Sequence, residues 1–80
     1  MIPPLVKKAI DAHAHERRRV GPFATAVLEN DLRLAVMLAD TRSRAAMHDI
    51  VLYVCNEIPG DSWGSRKIVR AWLKAREGAA

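Results

Sequence analysis

Three features of this sequence predict an all-α fold. The stretch from Asp40 to Pro59, DTRSRAAMHDIVLYVCNEIP, carries apolar residues at a 3.6-residue period. Alternating apolar and polar runs of the kind that make half-buried strands are lacking, and Thr and Tyr are scarce. Capping or breaking residues also bound each apolar segment. At 80 residues the chain is one small domain, residues 1–80, near the lower size at which a core alone holds a fold. We therefore expect a single compact domain of four to five short helices around a central helix, residues 41–58.

In that central helix Met47, Ile50, Val51, Val54, Cys55 and Ile58 form the apolar stripe. Leu52 and Tyr53 lie off it, so the middle turns are apolar nearly all round, as in a helix with neighbours on several sides. Asp40 or Thr41 is placed to cap the start, and Pro59-Gly60 stops it.

Pro3-Pro4 begins the first helix, because proline is tolerated where the N–H has no intrahelical partner. Ile2, Leu5, Val6, Ala9, Ile10 and His13 share one face of it. Lys7, Lys8, Asp11, His15 and Arg18 share the other. Arg17-Arg18-Arg19 falls in the last turn, where cations complement the helix dipole, and Val20-Gly21-Pro22 ends it.

From Pro22 to Asp40 the apolar arc is wide. Phe23, Val27, Leu34 and Leu38 lie on one side, Leu28, Leu32, Ala35 and Ala39 on the other, and Glu29, Arg33 and Asp40 on the wet side. An unbroken helix would put Asp31 inside that arc, where an unpaired carboxylate is costly. A break at Asn30-Asp31, with one of them capping a new helix from Leu32, avoids this; a single kinked helix is the alternative.

Gly60 to Ser65 (GDSWGS) is a turn-rich connection in which Trp63 folds back to close the core. Ser65 caps a last helix reaching about Arg76. Ile68, Val69, Trp72 and Leu73 are its buried stripe, Lys67, Arg70 and Lys74 line another face, and Gly78 to Ala80 fray.

Net charge is +4, but it is segregated. Residues 1–19 carry five Lys/Arg against two acids, residues 20–61 three against six, and residues 62–80 five against one. Such basic ends either neutralise an acidic middle or offer cations to an anionic partner. The lone Cys55 excludes an internal disulfide and reads as a small buried hydrophobe, which suits a reducing cytoplasm. Neither a signal-peptide core nor a membrane-length apolar run occurs, so we expect a cytoplasmic protein that does not enter the membrane.

Chemistry-bearing patterns are sparse. His13 and His15 are two apart and diverge on a helix, and His48 lies on another segment, so no metal site is expected. Ser43, Ser62 and Ser65 sit in no nucleophile motif, and the four glycines form no phosphate loop. We expect neither an enzyme nor a cofactor. The residues available for binding a partner are Lys67, Arg70 and Lys74, the triplet Arg17, Arg18 and Arg19, and Trp63. The central helix, a turn and a basic last helix have the order of a helix-turn-helix, with Lys67, Arg70 and Lys74 near phosphates. Against this, Pro59 to Ser65 is longer than the usual tight turn, and the basic face lacks Asn, Gln or Ser to read base edges.

Phe23, the run Thr25-Ala26-Val27-Leu28, Asn30-Asp31-Leu32 and Ala39-Asp40 resemble a family of small phage and prophage accessory proteins of unassigned function. So do Tyr53, Asn56, Pro59, Trp63-Gly64-Ser65, Val69 and Trp72-Leu73. The resemblance spans roughly Gly21 to Leu73 and is most specific in TAVLxNDL and WGS. It implies a mobile-element protein of the host-cell cytoplasm, and it supplies no catalytic residues. The expectation is non-catalytic binding to a host protein or nucleoprotein complex, as an inhibitor of a host defence system such as CRISPR. The alternative is a nucleic-acid-binding regulator that uses the basic face of the last helix; the expectation for the chain is only weak, salt-sensitive, sequence-independent DNA binding, and submicromolar binding would favour that alternative.

Overall fold

The computed structural model describes residues 1–79, with side chains to residue 75. It contains six helices and no strand among the described residues: α1 (Pro4–Glu16), α2 (Pro22–Leu28), α3 (Leu32–Leu38), α4 (Thr41–Ala45), α5 (Met47–Glu57) and α6 (Arg66–Ala79). The helix starts follow from local chemistry. Pro4 and Pro22 occupy first-turn positions where a missing N–H costs nothing. Asp31 Oδ1 accepts the Leu34 N–H at 3.1 Å, Asp40 Oδ1 the Ser43 N–H at 2.7 Å, and Ser65 Oγ the Ile68 N–H at 3.1 Å. These bonds from Ser43 lower the Asp40 pKa by stabilising its carboxylate.

The break between α2 and α3 falls at Asn30-Asp31, as the sequence predicts. Asn30 takes the left-handed conformation (φ +60°), the Asp31 N–H donates to Ala26 O at 2.9 Å and the Asn30 N–H to Val27 O at 3.1 Å. That pair of bonds satisfies the last carbonyls of α2, and Asn is among the few residues that adopt this geometry at little cost.

The expected central helix 41–58 is interrupted at Ala46, whose backbone (φ −97°, ψ 8°) leaves the helical region, so six helices replace the four or five expected. The stripe is also narrower than its periodicity suggests. Ile50, Val54 and Ile58 are buried, while Val51, Leu52 and Cys55 are exposed. Cys55 is therefore not the buried hydrophobe expected. α1 ends at Glu16, so the arginine triplet lies just past its last turn, with Arg17 left-handed at φ +52°. On α1, Leu5 is exposed although it shares a face with Ile10. Glu29, placed on the wet side by sequence, is largely covered and pairs with Arg66 at 3.8 Å. α6 continues past Arg76 to Ala79, and Ala80, where fraying is expected, lies outside the described residues.

The core is small and alanine-rich. Ile10 and Ala14 of α1, Leu28 of α2, Ala46, Ile50, Val54 and Ile58 of the central segment and Val69 of α6 form one buried cluster. Trp63, Tyr53, Phe23 and Leu73 pack around it, half-buried. Trp63 also donates its indole N–H to Ile58 O at 3.2 Å, so it closes the core from the α5–α6 connection as predicted. The radius of gyration is 11.8 Å; a folded chain of this length should have about 11.6 Å.

Candidate partner-binding surfaces

α6 carries the cationic face. Ser65 fixes where the helix starts and Val69 is pinned in the core, so Lys67, Arg70 and Lys74 are turned to solvent. At the other end of the sequence, the turn after α1 brings Arg19 to the same place. Arg19 and Arg70 both line a hollow of about 250 Å³ between α1, α2 and α6, together with His13, Thr25 and Glu29. Glu29 tempers its charge, being paired with Arg66.

The three arginines have separate fates. Arg17 stacks on Trp72, with its guanidinium 3.6 Å from the ring centroid, and donates from Nη1 to Trp72 O at 3.2 Å. Trp72 in turn donates its indole N–H to His13 O at 2.8 Å. Arg17 is thus part of the joint between α1 and α6. Arg18 is exposed and bridges Glu16 at 3.1 Å, and Arg19 is exposed beside Arg70. The structure therefore leaves Arg18, Arg19, Lys67, Arg70 and Lys74 exposed and brings Arg19 and Arg70 to one hollow, while Arg17 and Trp63 are engaged in packing.

The buried polar groups serve the fold. His13 is fully buried and its Nε2–H donates to Ser62 O at 2.7 Å; a carbonyl only accepts, which fixes that tautomer. The Ser62 hydroxyl points elsewhere, donating to Pro59 O at 2.7 Å, so the two residues do not form a nucleophile–base pair. The Tyr53 hydroxyl donates to the Asp11 carboxylate. That bond, with burial, pushes the phenol up to about 12. A phenol harder to ionise is the opposite of an activated one. Among the described residues no three His, Cys, Asp or Glu come together as metal ligands, and no helix is long and apolar enough to cross a membrane.

A second surface escaped the sequence reading. On α3 only Ala35 is buried; Leu32, Leu34, Val36, Met37 and Leu38 are exposed, Met37 by 70%. Val51 and Leu52 of α5 are exposed as well, and a small apolar hollow of about 40 Å³ separates α3 from Met47 and Val51. The signal was present in the sequence LRLAVML, where six of seven residues are apolar. A two-turn helix packed along one side cannot bury its whole circumference. No protein-family model matches this chain, and neither curated proteins nor solved structures show significant similarity to it.

Proposed function

We propose that this protein is a non-catalytic, mobile-element accessory protein that binds a host protein or nucleoprotein complex and inhibits a host defence system such as CRISPR. The observation supporting a binding role is the convergence of Arg19 and Arg70 on one hollow, which joins basic segments from both ends of the chain into a single cationic surface. Lys67 and Lys74 extend it along α6. A surface of this sign attracts an acidic protein face and raises the rate of encounter with it. The defence-related partner comes from the resemblance to small phage and prophage proteins.

The test is an interference assay. The wild-type chain, expressed in a host with active CRISPR interference, should restore phage plating. The K67E/R70E/K74E variant should lose that effect while remaining folded. Unchanged plating with wild type would remove the defence reading.

The exposed run Lys67, Arg70 and Lys74 also supports a second reading, a nucleic-acid-binding regulator. Titration against random duplex and single-stranded DNA at physiological salt separates the two. Affinity tighter than about 10⁻⁶ M, the limit of the non-specific regime, would favour the regulator.

A further inference from the structure

We infer that the hollow between α1, α2 and α6 receives a single carboxylate, the side chain of an acidic residue on the partner protein. This rests on the protein-binding reading above and names the chemical group that the cationic surface takes.

Separate segments build the hollow. Arg19 comes from the turn after α1, Thr25 and Glu29 from α2 and its C-terminal end, and Arg70 from α6. Val20, Val69 and Leu73 supply an apolar wall, with Val69 only 2% exposed. Beside such a wall a hydrogen bond to an ion is stronger than on an open surface, because less water screens it. At about 250 Å³ the hollow falls short of the roughly 300–1,000 Å³ of pockets for drug-sized ligands, so it suits a side chain rather than a cofactor.

The polar groups in the wall select the occupant. His13 commits its Nε2–H to Ser62 O, and the Thr25 hydroxyl donates to Val20 O at 3.2 Å, so neither offers those protons to a ligand. Glu29 pairs with Arg66, which offsets its charge. The remaining donors are guanidinium groups. Arg70 is exposed and enters no ion pair among the described residues. Arg19 already interacts with another group of the chain and acts as the second donor; a guanidinium has five N–H donors, and an anion needs only one edge of it. Planar forks of this kind match a carboxylate with two parallel hydrogen bonds. Other oxyanions fit less well. A terminal phosphate brings a second negative charge toward the Glu29 carboxylate, whose side chain is 12% exposed. A phosphodiester is flanked by two sugars and cannot enter a recess end-on, whereas a carboxylate ends a slim side chain.

The experiment follows arginine side-chain N–H signals by NMR while the full chain is titrated with a capped hexaglutamate peptide at physiological salt. Saturable shifts are expected at the Nε–H groups of Arg70 and Arg19 and at the Thr25 and Val69 amides. Arg70→Lys keeps the charge and loses the fork, so it should weaken binding by about tenfold. Lys67→Arg and Lys74→Arg, at exposed positions outside the hollow, should bind as the wild type does. Shifts spread evenly over Arg18, Lys67 and Lys74, an Arg70→Lys variant that binds like the wild type, or no binding at millimolar peptide would each overturn the inference. So would tighter binding of hexathymidylate under the same conditions, which would assign the hollow to nucleic acid. The interference assay fails independently. Saturable binding at Arg70 without restored plating removes the defence reading and upholds this site; restored plating with no shift at Arg70 does the reverse.

Discussion

Arg17 shows how one side chain is diverted from the surface to the frame. Its left-handed backbone costs a non-glycine residue about 1 kcal/mol or more. The stacking on Trp72 and the bond to its carbonyl offset that cost. We expect Arg17→Ala to lower stability by about 1–2 kcal/mol, because it keeps the strain and loses the cation–π contact. Arg17→Gly should lose about 1 kcal/mol less, since glycine relieves the strain. Urea denaturation of both variants measures the difference. Tyr53 gives a pH signature. Its phenol is held up to about 12 against an ordinary 10.0, so the folded state retains a proton that the unfolded chain releases. That stabilisation is complete below about pH 10 and is lost as pH rises from there toward 12. The wild type should therefore lose more stability over that window than Tyr53→Phe. The absorbance of tyrosinate reads the titration directly, because Tyr53 is the only tyrosine.

Helix boundaries were readable where a side chain makes the cap. Asp31, Asp40 and Ser65 each bond the N–H three residues on; residue type marked Ser65 outright and narrowed the other two caps to Asn30 or Asp31 and to Asp40 or Thr41. Asp31→Ala should cost about 1 kcal/mol in urea denaturation and should selectively speed amide exchange in α3. An unaltered exchange rate there would mean that packing on α2, rather than the cap, holds the helix. The break at Ala46 was not readable, because alanine is the best helix former and carries no mark of a boundary. Nor did periodicity say which flank of an apolar helix is covered. Val51 and Cys55 share a stripe with Ile50 and Val54, yet both are exposed. Such coverage is decided by where neighbours sit, which a single segment does not encode.

At the level of the domain, segregated charge proved informative and its grouping did not. Sequence distinguished two basic ends; folding brought one residue of each to the same hollow and turned Arg17 inward. The exposed cations make little contact with the core, so K67E/R70E/K74E should melt within a few degrees of wild type. Any binding to acidic surfaces should lose its salt dependence in that variant. Calorimetry and binding at two ionic strengths test both statements. A large drop in melting temperature would mean that the three residues support the fold.

The joint between α1 and the end of the chain also fixes an order of events in time. Among the described residues its bonds include His13 to Ser62, Arg17 to Trp72 and Trp72 to His13, which link residues 49, 55 and 59 positions apart. The helices between them meet close sequence neighbours first, since short loops close at lower entropic cost. The joint is expected to form after the rate-limiting barrier. Trp72→Phe removes its indole donor and should speed unfolding while leaving the refolding arm of a stopped-flow chevron almost unmoved. Equal slowing of refolding would instead put the closure of the chain ends inside the folding nucleus.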